Sequence, residues 1–259
     1  MKILVICYSY GRGKWKTVLD TWFKNISPPH RFVFSGDIDL YNRLPGKQIE
    51  TWVTASGLNN HYDKLPLKTL NTLRVALQLK DWDILYKCDD DTLFNITGLE
   101  SWLGENNIDV NQELYAGYPA GKVRNRHYAA GGTGYILTRK TLIKNWDTLE
   151  QYLTEFKLNM DNRTSPVAAE DVGIGHALLS CGVEFNTSCT GYMNDTAHLP
   201  GCLDHRVVNP DAATTSQINH GNRWISEYGG SSKTISLHHL TDSAMRQLYN
   251  KHFCVDIKQ

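Results

Sequence analysis

The sequence lacks the features that mark membrane and nucleic-acid-binding proteins. No uninterrupted apolar run approaches the ~18 residues that a membrane span requires. Lysine plus arginine and aspartate plus glutamate both total 27, so the chain has no net charge. A neutral chain has no overall basic field to attract nucleic acid or an anionic membrane. We therefore expect neither a membrane span nor a nucleic-acid partner, and any anionic ligand must be held by local contacts.

The amino terminus also has too few apolar residues for a secretory signal. About six apolar residues precede Ser9, whereas a signal-peptide core needs roughly 7–15. The segment instead predicts a buried first strand, and the protein is expected to be cytoplasmic. With 259 residues and 41% hydrophobic content, the chain can bury one large core or two small ones.

Closely spaced cysteine pairs are missing too. The six cysteines include no C-x-x-C pair, and free buried thiols are the ordinary state for such residues. Two alternatives stay open. Cys189, His198, Cys202 and His205 could hold zinc, although their spacing fits no common structural site. Cys189 and Cys202 could instead form a disulfide in an oxidising compartment.

Apolar runs that alternate with helical patterns indicate an α/β fold. Strands are predicted at Lys2–Tyr8, Arg31–Ser35 and Ile84–Lys87, with apolar residues at helical spacing between them. Helices are predicted after Pro66, where Leu67, Leu70, Leu73 and Leu77 share one face, and at Arg139–Phe156 and Asp242–His252. Such alternation implies a mostly parallel sheet, which binds ligands outside the carboxyl ends of its strands. The loop Gly11–Lys14 and the acids Asp89–Asp91 would both lie at that edge.

Three adjacent carboxylates, Asp89, Asp90 and Asp91, follow the buried strand directly. Like charges in a row repel one another, so a cation, hydrogen-bond donors or water must offset the cost. A solvated turn is the plain explanation of such a triplet. Its position after a buried strand favours a magnesium or manganese site that shares phosphate oxygens with a substrate.

A second candidate is the glycine-rich stretch Tyr128–Tyr135. Its glycines, among them Gly131 and Gly132, would let the backbone pass close to a ligand, although a β-bulge or hairpin explains them equally well. The stretch fits neither the G-x-G-x-x-G pattern nor a Walker loop. An NAD enzyme or an ATPase is therefore disfavoured.

Two further stretches carry candidate acids and histidines. Glu170 and Asp171 should occupy the first turn of a helix, where the helix dipole favours carboxylates, so one can cap the helix while the other works. His238 and His239 follow a strand-like run. Because neighbouring strand residues point to opposite faces, at most one of the two is expected to face a site.

Taken in order, these stretches resemble glycosyltransferase family 31, the inverting β-1,3-galactosyltransferase, core-1 synthase and Fringe group. The resemblance rests on five stretches: Leu65–Leu70, Tyr86–Phe94, Ala129–Leu137, Glu170–Gly175 and Ser236–His239. A weaker likeness at Lys16–Trp22 extends it toward the amino terminus. The resemblance implies a GT-A fold with a Rossmann-like sheet, helices on both faces and one compact domain over residues 1–259. Residues 1–95 would form its nucleotide-binding half and 96–259 its acceptor-binding half.

The resemblance also implies roles for single residues. Asp91 and His238 would bind Mn²⁺ or Mg²⁺, and Asp171 would be the catalytic base. The expected donor-binding residues are Arg12, Lys68, Asp89, Asp90, Gly131 and Gly132. The loops Gly98–Asn111 and Ser188–Ser232 are predicted to cover the acceptor.

The implied activity is transfer of a sugar from a UDP-sugar to a hydroxyl of a glycan acceptor, with inversion to a β linkage. Galactose, an N-acetylhexosamine, glucose and xylose all remain open as the transferred sugar. A catalytically silent GT-A protein that binds carbohydrate and a retaining GT-A transferase are the alternatives.

Overall fold

The computed structural model describes residues 1–9, 14–36, 51–54, 64–123, 125–161, 170–196, 210–227 and 233–254. The strands in this part of the chain are β1 (Ile3–Tyr8), β2 (Arg31–Gly36), β3 (Thr51–Thr54), β4 (Ile84–Asp89), β5 (Leu93–Phe94), β6 (Tyr115–Gly117), β7 (Pro119–Val123), β8 (Arg126–Ala129), β9 (Tyr135–Thr138), β10 (Phe185–Asn186), β11 (Met193–Asp195) and β12 (Ser236–His238). The helices are α1 (Lys14–Asp20), α2 (Leu65–Gln78), α3 (Ile96–Glu105), α4 (Arg139–Lys144), α5 (Trp146–Asp161), α6 (Glu170–Ser180), α7 (Pro210–Glu227) and α8 (Asp242–His252).

Seven strands form the main sheet in the order β10-β6-β9-β4-β1-β2-β3. The neighbours β4-β1, β1-β2 and β2-β3 are parallel, as is β10-β6, whereas β9 is antiparallel to both β4 and β6. Tyr8 pairs with Asp89, so β1 and β4 end together at one edge. The predicted mostly parallel sheet is confirmed, and the acid triplet lies at the carboxyl ends of its parallel strands.

Both faces of this sheet are covered, because alternate residues of β1 belong to different cores. Residues 3, 5 and 7 pack with α1, α3 and α8, whereas residues 4, 6 and 8 pack with α2, α4, α5 and α6. All six are fully buried. Burial of an aliphatic side chain contributes roughly 1.5–3 kcal/mol, so this strand holds the two layers of helices together.

A smaller sheet of three strands lies beside the acid triplet, in the order β11-β12-β5. Strand β12 is parallel to β11, where Asp195 pairs with His238, and antiparallel to β5, where Leu237 pairs with Leu93. Since β5 begins two residues after Asp91, this sheet brings distant parts of the chain to the end of β4.

Three predictions about local structure are wrong. The segment Gly98–Asn111, predicted as an acceptor loop, belongs largely to α3, whose Leu99 and Trp102 are core residues. The segment Ser188–Ser232, predicted as loops, contains β11 and α7. The single helix predicted for Arg139–Phe156 is broken at Asn145 into α4 and α5.

No helix in the described residues is both long enough and apolar enough to cross a membrane.

Candidate active site

The three carboxylates of the triplet point to different partners. Asp89 accepts a hydrogen bond from Nζ of Lys87 at 2.8 Å, and Asp90 accepts one from Oγ of Ser9 at 2.6 Å. The side chain of Asp91 lies 3.2 Å from Nζ of Lys14. Each acid therefore has its own donor or cation, which offsets the repulsion that three neighbouring charges would otherwise cause.

Asp90 and Lys68 meet at the carboxyl end of β1. Lys68 donates through Nζ to the carbonyl oxygen of Ser9 at 2.7 Å, and Ser9 also holds Asp90. Burial raises the pKa of Asp90 to about 7, and the neighbouring Asp91 and Asp89 add to this shift. Burial likewise lowers the pKa of Lys68 to about 8. The predicted donor-binding residues Lys68 and Asp90 therefore lie in one buried cluster, and burial moves the pKa of both toward neutral pH.

A second cluster joins Asp91 to the ends of β11 and β12. Nε2 of His238 lies 3.1 Å from Oδ1 of Asp91, and Nδ1 of the same ring lies 3.4 Å from Oδ2 of Asp195. Burial would raise the pKa of Asp91, but the neighbouring His238 holds it well below its usual range. Burial alone would lower the pKa of His238, whereas Asp91 and Asp195 raise it to about 10.

His239 belongs to the same cluster, contrary to the expectation that it would point away. Strand β12 ends at His238, and His239 takes a left-handed backbone conformation with φ of +59°. Its ring therefore turns back, with its centroid 3.7 Å from that of His238. Nδ1 of His239 donates to Oδ1 of Asp195 at 2.7 Å. A conformation of this kind costs of order 1–3 kcal/mol and is found where surrounding contacts enforce it.

This cluster fits a divalent cation. Asp91, His238 and His239 each offer one ligand atom, and these atoms all lie within 4.8 Å of one another. Oδ1 of Asp91 is buried, and among the described residues its contact with Nε2 of His238 at 3.1 Å is not aligned as a hydrogen bond. Neighbouring ligands in an octahedron with bonds of roughly 2.0–2.1 Å are about 3 Å apart, close to the separation of Asp91 and His238. Carboxylate oxygens suit magnesium or manganese, and imidazole nitrogens suit transition metals better than magnesium.

The glycine pair packs against both the histidine and the acids. A methyl group on Gly132 would overlap the ring of His238, and one on Gly131 would overlap the carboxylate of Glu170. The carbonyl oxygen of Gly132 accepts hydrogen bonds from the Asp89 amide at 3.3 Å and from Oγ1 of Thr92 at 2.8 Å. Glycine is required here because side chains of the protein occupy the space that a Cβ would need.

Asp171 lies in the first turn of α6 and is held by backbone amides. Its Oδ2 accepts from the amide of Gly131 at 2.9 Å, and its Oδ1 accepts from the amide of Val172 at 2.8 Å. Burial and the neighbouring charge of Glu170 raise the pKa of Asp171 to about 6. The carboxylate is thus mainly ionised at neutral pH but can accept a proton more readily than an exposed aspartate.

Glu170 contacts a buried lysine of β4. Its Oε1 accepts from Nζ of Lys87 at 2.7 Å. Lys87 is fully buried and also donates to Asp89 and to the carbonyl oxygen of Gly131 at 3.0 Å. One lysine therefore ties the acid triplet, the glycine pair and α6 together.

Several predicted residues lie outside the described part of the chain. They are Arg12 with its neighbours Gly11 and Gly13, and three of the four residues of the alternative zinc site, His198, Cys202 and His205. Cys189 is a buried free thiol whose Sγ donates to the carbonyl oxygen of Gly117 at 3.4 Å. The structure brings the remaining predicted residues together around the end of β4.

Sequence reasoning missed Lys14, Lys87, Asp195 and His239. Lys87 could have been found, since residues 87 and 89 share one face of a strand and a buried lysine there needs an acid. Asp195 gave no local signal, because its place depends on the pairing of β11 with β12. His239 was misjudged because the strand was assumed to continue through it.

Comparison with known sequences relates this chain to a protein family and to a curated relative. A family model described as Galactosyltransferase matches residues 53–188, just over half of the chain. Glycoprotein-N-acetylgalactosamine 3-beta-galactosyltransferase 1 of Xenopus laevis is 28% identical over 144 residues. That alignment covers 55% of this chain and 37% of the relative, so the chain matches a little over one third of the relative's length.

Comparison with solved structures gives likenesses over most of the chain. A glycosyltransferase involved in glycosylation of the major capsid of PBCV-1 has a TM-score of 0.52 and 9% identity, with 97% of this chain and 100% of the other covered. The glycosyltransferase GlyE of Streptococcus pneumoniae has a TM-score of 0.50 and 10% identity, with 92% and 54% covered. At such low identity these likenesses bear on the fold alone.

Proposed function

Because this chain belongs to the galactosyltransferase family and has the GT-A fold, we propose that it is a metal-dependent, inverting glycosyltransferase. It moves a sugar from a UDP-sugar to a hydroxyl of a glycan acceptor and forms a β linkage. Among the candidate sugars, galactose is the favoured one. Galactose is favoured by the family description and by the name of the Xenopus laevis relative.

One observation carries this proposal: two adjacent glycines separate a carboxylate from a cation-binding cluster. Gly131 donates to Asp171, and Gly132 packs against His238. Inverting transfer needs a base for the attacking hydroxyl on one side of the sugar and charge stabilisation for the leaving group on the other. A sugar placed over the glycine pair would have Asp171 on one side and Asp91 with His238 on the other.

The residues then divide the work. Asp171 removes the proton of the acceptor hydroxyl as the new bond forms, and its two amide contacts fix the direction of its oxygens. When bound, a divalent cation held by Asp91 and His238 stabilises the charge that develops on the departing diphosphate. The contact between Glu170 and Lys87 holds the start of α6 next to the acid triplet.

The donor is held by the carboxyl edge of the main sheet. Lys68, Asp89, Asp90 and Arg12 bind the nucleotide, with Lys68 and Asp90 already joined through Ser9. Residues 1–95 form this donor half, and residues 96–259 form the acceptor half. Since Asp91 comes from the first and His238 from the second, the cation would lie where the two halves meet.

A panel of UDP-sugars tests the reaction and names the donor. UDP-galactose, UDP-N-acetylglucosamine, UDP-N-acetylgalactosamine, UDP-glucose and UDP-xylose are incubated with MnCl₂ or with a chelator, and UDP release is measured. We expect UDP release from one donor, UDP-galactose, with manganese, and no UDP release from it with chelator. Turnover that the chelator does not change would contradict metal dependence, and binding without turnover of any donor would support the silent alternative.

The stereochemistry is tested with an aryl N-acetylgalactosaminide acceptor, chosen from the name of the relative. Proton NMR of the product gives the configuration of the new linkage. Because the sugar is α-linked to UDP, inversion gives a β-linked product, whereas an α-linked product would support the retaining alternative.

A further inference from the structure

One carboxylate at the end of β11 contacts both histidines. Oδ1 of Asp195 accepts from Nδ1 of His239 at 2.7 Å, and Oδ2 lies 3.4 Å from Nδ1 of His238. Asp195 pairs with His238 in the parallel register of β11 and β12, so backbone pairing fixes the position of this acid. The match to the family model ends at residue 188, and Asp195, His238 and His239 all come later in the sequence.

This arrangement directs Nε2 of His238 to Asp91 and leaves Nε2 of His239 on the side of its ring away from Asp195. A histidine that binds a metal through one ring nitrogen commonly donates its other N–H to a carboxylate, which fixes the tautomer and the orientation of the ring. Here both Nδ1 atoms point to Asp195, so Nε2 of each ring lies on the side away from that acid. Nε2 of His238 faces Asp91, and His239 also offers a ligand atom within 4.8 Å of both residues.

The backbone around His239 is also held by hydrogen bonds. Its carbonyl oxygen accepts from Nε2 of Gln217 at 2.7 Å and from Oγ1 of Thr196 at 3.1 Å. The next residue, Leu240, donates its amide to the carbonyl oxygen of Asp91 at 3.0 Å. These contacts, from α7 and from the acid triplet itself, maintain the left-handed conformation that turns His239 toward Asp91.

We propose that His239 is a third protein ligand of the cation, beside Asp91 and His238, and that Asp195 is the positioning residue that directs both imidazoles toward it. This inference rests on the proposed function, because it extends the same cation site. A second imidazole makes the site less suited to magnesium, which prefers oxygen ligands, and better suited to transition metals, manganese among them.

The test is binding of MnCl₂ alone to the full chain, without nucleotide, measured by calorimetry and by electron spin echo spectroscopy of the bound Mn²⁺. His239→Asn removes the imidazole and keeps a residue that tolerates positive φ. Asp195→Asn removes the carboxylate acceptor. The matched controls are the exposed residues His127 and Asp109, changed to Asn in the same way.

We expect His239→Asn and Asp195→Asn each to weaken Mn²⁺ binding by roughly 10- to 100-fold, the usual effect of losing such a contact. The two controls should bind like the wild type. The spin echo spectrum should show two imidazole nitrogens in the wild type and one in His239→Asn, and the ratio of Mn²⁺ to Mg²⁺ affinity should fall in that variant. Asp195→Glu should restore part of the affinity if the acid acts by orienting the rings.

A wild-type spectrum with one imidazole, or unchanged Mn²⁺ affinity in a His239→Asn variant that melts like the wild type, would overturn the assignment. Failure of the proposed function looks different. A chain that binds Mn²⁺ through two imidazoles but turns over no UDP-sugar would keep this inference and refute the proposed activity.

Discussion

Among single residues, the acid triplet places three aspartates in three electrostatic environments. Asp89 is paired with a buried lysine, Asp90 is buried beside a serine, and Asp91 faces a lysine and a histidine. The pKa of Asp90 is accordingly raised to about 7, while that of Asp91 is held well below its usual range. The neighbouring side chains, more than the triplet itself, determine the charge state of each acid.

The pKa of Asp171 predicts a pH profile. A base must be deprotonated to accept a proton, and burial together with Glu170 raises this pKa to about 6. We expect kcat/KM for the donor to rise with pH through about 6 and to level off above it. The profile is measured as UDP release at saturating MnCl₂.

Glu170→Gln provides the control for this profile. Because the negative charge of Glu170 raises the pKa of Asp171, its removal should move the midpoint to lower pH. A midpoint that stays in place or moves upward would show that another group controls the rate.

Gly132→Ala tests the close packing around the histidine. The new methyl group would overlap the ring of His238 and displace it from Asp91. We expect Mn²⁺ affinity to fall by at least about tenfold, as it does when the support of a metal ligand is lost. Gly104→Ala is the matched control, because a Cβ there meets no atom within 4 Å. Equal Mn²⁺ affinity in the two variants would contradict the packing account.

At the scale of helices and strands, the main predictions were accurate where an apolar period was strong. The structure confirms β1, β2, β4, α2 and α8, the last with the predicted limits Asp242–His252. Helix α7 was missed because its sequence includes Thr, Ser and Asn residues and a glycine, which all have low helix propensity. Gly221, a poor helix residue, lies there because a Cβ would contact Leu248 of α8. Such a reason depends on tertiary packing, which no local pattern reports.

The candidate site also contains residues that the sequence could predict and residues that it could not. Asp89, Asp90, Asp91 and Asp171 could be predicted, since each follows a strand or opens a helix in a recognisable pattern. The contribution of β11 could not, because Asp195 reaches the site only through strand pairing with β12. Residues that reach the site through pairing of distant strands cannot be identified from a local sequence pattern.

Lys87 links β4 to α6, and its loss should destabilise the whole fold. It is fully buried and paired with both Asp89 and Glu170. Lys87→Met leaves two acids without their cation, and breaking such a buried pair costs about 3–5 kcal/mol. We expect the free energy of unfolding in urea to fall by that amount.

Lys144→Met is the matched control, because Lys144 pairs with Glu113 at an exposed position. An exposed pair contributes about 0–1 kcal/mol, so this variant should unfold almost like the wild type. The account of Lys87 fails if both variants lose the same small amount of stability. Adding Glu170→Gln to Lys87→Met should restore part of the loss, since one of the unpaired charges is then removed.

At the scale of the whole molecule, the site depends on segments that lie far apart in the sequence. The family match spans residues 53–188 and includes the acid triplet, the glycine pair and Asp171. Asp195 comes from β11 and the histidines from the end of β12, both beyond the matched residues, and Lys14 comes from the first helix. The two sheets must therefore be in place together before Asp171 and His238 can both contact the glycine pair.

The most direct test of the central claim compares the wild type with Asp171→Asn. UDP release from UDP-galactose is measured with MnCl₂, and UDP binding is measured in parallel by calorimetry. The account predicts that the variant loses about 10²- to 10⁴-fold in turnover, the usual contribution of a general base, while UDP binding with manganese is unchanged. Turnover near the wild-type rate in Asp171→Asn would contradict it.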